Sequence, residues 1–65
     1  MINNDVIRSI RHILNVSEFK LVDIVKLGGG DVTQAMMNTY LKPDDEPGFE
    51  PCGQKIMTEF LNGLI

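Results

Sequence analysis

Apolar residues recur every three or four positions along most of this chain, and glycine and proline are what interrupt the rhythm. This feature constrains the fold most, because a period near 3.6 puts a stripe on one side of a helix, whereas a half-buried strand alternates every second residue. The breaks fall at Gly28-Gly29-Gly30 and across Pro43, Pro47, Gly48 and Pro51. With the cap at Ser17 dividing the first stretch in two, they leave four short segments. The chain is therefore expected to be all-α: a compact bundle of four short helices, with an ordered Pro- and acid-rich loop before the last.

The first helix is expected from about Asn4 to Asn15, with Val6, Ile7, Ile10, Ile13 and Leu14 as its apolar stripe. Asn3 or Asn4 can cap its start, and Asp5 suits the positive end of its dipole. The second follows a Ser17 cap and carries Phe19, Leu21, Val22, Ile24, Val25 and Leu27. Its β-branched residues would also suit a strand, but Lys26 in the last turn and a left-handed stop at Gly28 favour helix. Its wide apolar face makes it the most buried of the four. The third is expected from Val32 or Thr33 to Leu41, capped by Asp31 or Thr33, with Ala35, Met36, Tyr40 and Leu41 inward. Pro43 stops it. The loop runs from Lys42 to Cys52. Phe49 is its only large apolar residue, so it is expected to be buried against the first or last helix as the loop's anchor. The last helix is expected from Gly53 or Gln54 to Asn62, with Ile56, Met57, Phe60 and Leu61 inward and Gly63 as its stop.

Sixty-five residues make one domain, residues 1–65. A core of that size rarely supplies more than ~3–5 kcal/mol without a staple. With one cysteine, Cys52, and one histidine, His12, neither an internal disulfide nor a structural zinc site is expected. Charge is mildly acidic, 6 Lys+Arg against 9 Asp+Glu. That balance gives no general attraction for nucleic acid or an anionic membrane. The chain has no apolar run long enough to span a bilayer, and its N-terminus does not read as an export signal. A lone cysteine without such a signal suits the cytoplasm.

Few residues suggest chemistry. Arg8, Arg11 and His12 fall on one face of the first helix, where an anion, an RNA backbone or an acidic partner can dock. The plainer alternative is a solvated face that pairs with Asp44, Asp45 and Glu46 in the loop. The triple glycine lacks the lysine of a phosphate-binding loop and runs into Asp31, so a helix stop is the better reading. If the second and third helices formed a DNA-binding helix-turn-helix, the reading helix would hold no Lys or Arg, which argues against it. Cys52 stands near a helix start, where a thiol can be activated, but cysteine is more often a small buried apolar residue. The acidic run lacks the spacing of a calcium loop. The methionines read as core fillers.

Three stretches together point to a family. Asn4-Asp5-Val6-Ile7-Arg8-Ser9-Ile10-Arg11, then Gly48-Phe49-Glu50-Pro51-Cys52, then Phe60-Leu61-Asn62-Gly63-Leu64-Ile65 resemble the YehS-like family of uncharacterised bacterial proteins. The resemblance spans nearly the whole chain. It implies a small helical domain of unknown function, typically present as two tandem copies. This sequence holds one copy, as an N-terminal half or as a one-copy relative. The resemblance transfers no catalytic residue.

The expected function is thus a non-enzymatic interaction module that associates with another copy of itself or with a tandem copy, through the apolar ending Leu64-Ile65. The alternative is a weak nucleic-acid or anion-binding domain using Arg8, Arg11 and His12. No cofactor, metal or small-molecule ligand is expected.

Overall fold

The computed structural model describes residues 1–65 and contains α1 (Asn3–Leu14), α2 (Glu18–Leu27), α3 (Gln34–Leu41) and α4 (Gln54–Gly63), with no strand. All four contribute to one apolar core built around Ile7, Leu21, Val25, Val32, Met37 and Phe60. The β-branched stretch of α2 is helical, and four of its residues, Leu21, Val22, Ile24 and Val25, are buried.

The ends of α2 and α3 follow local chemistry. After α2, the Gly29 N–H donates to the Lys26 carbonyl (3.0 Å) and the Gly30 N–H to the Val25 carbonyl (2.9 Å). This is the Schellman pattern, with the left-handed position at Gly29 (φ 91°), one residue beyond the expected Gly28. Thr33 caps α3, its Oγ1 accepting from the Met36 N–H at 3.1 Å.

The tightest packing is between α2 and α4. A Cβ placed on Gly63 would lie 1.7 Å from the Ile24 carbonyl oxygen, and one on Gly28 would lie 1.7 Å from that of Glu59. Ile24 meets Gly63 and Gly28 meets Glu59, so the helices are antiparallel and their backbones touch. Gly63 belongs to α4 and serves as this contact, in place of the expected helix stop.

One end of the molecule is tied by hydrogen bonds. Asn3 reaches Cys52, and Asn4 reaches Tyr40, Glu50 and Cys52, so the start of α1, the end of α3, the loop and the start of α4 meet there. The end of α1 turns into α2 with Arg11 facing Glu18, and the end of α4 packs on the second half of α2 at Ile24.

Several expected core positions lie elsewhere. Ile13 (76% exposed) and Leu14 extend past the core, because the loop and α3 cover only the first turns of α1. Phe19 (58% exposed) and Leu27 flank the buried face of α2. In α3 the inward stripe is Met37 and Tyr40 with Leu41 half-buried, while Ala35 and Met36 face solvent. The helix packs on both α1 and α2, and its covered face runs through Met37 and Tyr40. In α4, Met57 and Phe60 are buried, Ile56 is half-buried and Leu61 is exposed. Phe49 is only half-buried and lies outside the core.

Candidate functional site

The loop's anchor is Asn4. Its side chain is 1% exposed and is the only buried polar one in the chain. Its Nδ2 donates to the carbonyls of Tyr40 (3.0 Å) and Glu50 (2.9 Å), and its Oδ1 accepts from the Cys52 N–H (2.8 Å). Asn3 adds a bond from Nδ2 to the Cys52 carbonyl (3.1 Å). Neither asparagine caps the helix. Asp5 acts at that end, its Oδ2 accepting from the Ile2 N–H at 3.0 Å. This bond first, and the Arg8 guanidinium second, hold the Asp5 carboxyl below its ordinary value. One signal for Asn4 was present in the sequence: it stands three residues before Ile7, on the apolar stripe, where a polar residue needs buried partners.

The three basic candidates separate by what they touch. Arg8 is half-buried and engaged with Asp5, with the Lys42 carbonyl and with Asp44, the last at 3.0 Å. The hydrogen bonds it donates to Asp5 and then to Asp44 raise its pKa further. Two carboxylates and a carbonyl therefore occupy Arg8, tying α1 to the loop as the plainer reading expected. Arg11 faces Glu18 at 4.0 Å across the turn into α2, and His12 is exposed beside it. No polar contact joins the three.

Leu64 and Ile65, just after α4, are exposed, as are Leu61 in the last turn of α4, Ile13 and Leu14 in that of α1 and Phe19 in the first turn of α2. Sequence reasoning selected Leu64 and Ile65 but assigned Ile13, Leu14, Phe19 and Leu61 to inward faces. Helical period does not reveal where a covering partner stops.

Other chemistry is sparse. The Cys52 thiol is buried, which raises its pKa, and its Sγ lies 3.6 Å from the Gly53 carbonyl. Burial likewise raises the Tyr40 hydroxyl. The Gly28, Gly29 and Gly30 N–H groups are all bonded to carbonyls of α2, so none is free to cradle an anion. Glu59 fills the space beside Gly30 and keeps Oε1 buried without a partner, while Oε2 lies 3.8 Å from Lys55 Nζ. The surface has no enclosed cavity, and no three metal-binding side chains come together. No helix is long and apolar enough to cross a membrane.

Comparison with known proteins gives a consistent picture. The family described as "Protein of unknown function (DUF1456)" matches residues 3–65. The "Uncharacterized protein YehS" of Escherichia coli (strain K12) is 40% identical over 65 residues, which is 100% of this chain and 42% of that protein. The chain thus spans less than half the length of this curated relative. No solved structure matches.

Proposed function

This chain belongs to the family of unknown function DUF1456, and from that premise we propose that it is a non-enzymatic helical interaction module whose partner is another copy of itself or a tandem copy. The observation that carries this is the number of large apolar side chains left exposed on so small a domain, Leu64, Ile65, Ile13, Leu14 and Phe19 among them. Large exposed apolar area marks interaction surfaces. A small core gains stability when a second one covers it.

The non-enzymatic part rests on separation. The only thiol, at Cys52, sits beside Asn3 and Asn4, while the only imidazole, His12, lies eight residues further along α1. At 1.5 Å per residue that is roughly 12 Å, beyond reach of a nucleophile and its base. We place the module in the cytoplasm, where a lone buried thiol stays reduced. The runner-up is anion or nucleic-acid binding on Arg8, Arg11 and His12. Arg8's engagement with Asp5 and Asp44 weighs against it, because a phosphate would have to displace both carboxylates.

Sedimentation equilibrium from micromolar to about millimolar chain tests the proposal, since weak small interfaces fall in that range. Concentration-dependent mass supports it, and a constant monomer mass refutes association with another copy of itself. Micromolar binding to duplex DNA or RNA at physiological salt, lost when Arg8 and Arg11 are both replaced by alanine, would favour the runner-up.

A further inference from the structure

We infer that Asn62-Gly63 is a modification site, where the asparagine amide converts to an acid through attack by the main chain. The packing of α4 on α2 holds it unreacted until the end of α4 detaches.

The chemistry needs only these two residues and water. Asn62 is the one asparagine followed by glycine; the others precede Asn4, Asp5, Val16 and Thr39. The residue after an asparagine carries the main-chain nitrogen that attacks the side-chain amide carbon. A β-branched neighbour such as Val16 or Thr39 screens that nitrogen, whereas glycine, with no Cβ, leaves it bare and lets the backbone turn to meet it. The Gly63 nitrogen bonds to Asn62 Cγ and the Cγ–Nδ2 bond breaks. The departing nitrogen takes the Gly63 proton and leaves as ammonia. Water then opens the cyclic imide at either carbonyl. One opening leaves aspartate at position 62. The other leaves isoaspartate, with the main chain routed through Cβ and Cγ and so longer by one carbon.

The fold withholds the nucleophile. Gly63 is the last residue of α4, and a helix directs its N–H to the Glu59 carbonyl four residues back. A helix also tilts the Asn62 Cβ towards the N-terminus, away from the following nitrogen. Contact with α2 locks this arrangement. A Cβ on Gly28 would stand 1.7 Å from the Glu59 carbonyl oxygen and 2.8 Å from the Gly63 nitrogen, so both groups lie against Gly28. The Gly63 nitrogen therefore turns towards Asn62 Cγ only when the end of α4 lifts off α2. Both products then oppose its return. The extra carbon moves Gly63 out of register with Ile24, and the new negative charge in the last turn opposes the helix dipole.

The test incubates the whole chain at mildly alkaline pH, folded and in guanidinium chloride. Mass spectrometry follows the tryptic peptide 56–65, with the peptides holding Asn15 and Asn38 as comparators. In denaturant the amide-to-acid conversion should appear in 56–65 well before the other two, split between two chromatographic isomers, and Asn62→Gln should remove it. In the folded chain it should run at least about tenfold slower, because it waits on local opening. Chain converted in denaturant and returned to buffer should unfold at lower denaturant concentration than the parent. Equal folded and denatured rates overturn the protection. Conversion no faster than at Asn15 and Asn38 overturns the site. A converted chain that unfolds with the parent overturns the link to the α2–α4 contact.

Discussion

Replacing Asn4 should nearly unfold the protein, although the side chain is small and polar. The Asn4 amide satisfies the Tyr40 and Glu50 carbonyls and the Cys52 N–H, and both Tyr40 and Cys52 are buried. Asn4→Ala would strand those groups with no partner. Each buried orphan costs ~1–3 kcal/mol. Counting the two in buried residues gives ~2–6 kcal/mol, of which alanine's better helix propensity recovers at most ~0.7. A core this size supplies only ~3–5 kcal/mol in total. Urea denaturation followed by circular dichroism measures the loss. With a slope of about 1 kcal/mol/M for so small a domain, the midpoint should fall by ~1–5 M. Asn4→Asp should be worse at neutral pH. It keeps an acceptor for Cys52 but turns a charged oxygen towards the two carbonyls that now sit 3.0 and 2.9 Å from a donor. An alanine variant with a midpoint within about 0.5 M of the parent would refute the reasoning, since that shift is smaller than the two stranded groups should produce. An aspartate variant as stable as the alanine one would refute it too.

Gly63→Ala should destabilise by ~2 kcal/mol or more despite alanine's helix propensity, because the new methyl meets the Ile24 carbonyl; the same urea titration checks it, with Gly53→Ser, which has open space, as a nearly neutral comparison. Phe49→Ala should cost only about 1 kcal/mol, since the ring is half-buried and outside the core, and a loss of ~3 kcal/mol would show that it anchors the loop after all. The Asp5 carboxyl is depressed in the folded state, so its stabilising effect is complete above its ordinary value of 3.8 and disappears as pH falls through the lower folded value. Thermal melts from neutral to acid pH should therefore show Asp5→Asn closing on the parent below about pH 4, and a difference that persists there would mean the carboxylate is not the cause.

Only part of the exposed apolar surface was legible in the sequence. Leu64 and Ile65 stood out because apolar residues followed Gly63. Ile13 and Phe19 did not, since each continues a helical stripe and nothing in the spacing says that the stripe outruns its cover. Arg8 and Arg11 looked equivalent at one turn's separation. The loop returns to one and not the other, so Arg8 is held by Asp44 while Arg11 stays largely free of it. Phe49 drew attention by size, yet the anchoring falls to Asn4, whose three bonds span 36 to 48 residues of sequence.

What the sequence determined by itself was local. Periodicity, the Thr33 cap, the Gly29 turn and the prolines set four helices and their ends, because those choices are settled by neighbours within about a turn. Tertiary structure alone decided which face of each helix is covered. It turned Gly63 from a stop into a backbone contact with Ile24 and Asn4 from a cap into the pin of a distant loop. Those roles depend on segments tens of residues apart, whose meeting is fixed by packing and by the need to pair every buried polar group, and neither leaves a periodic trace in the chain.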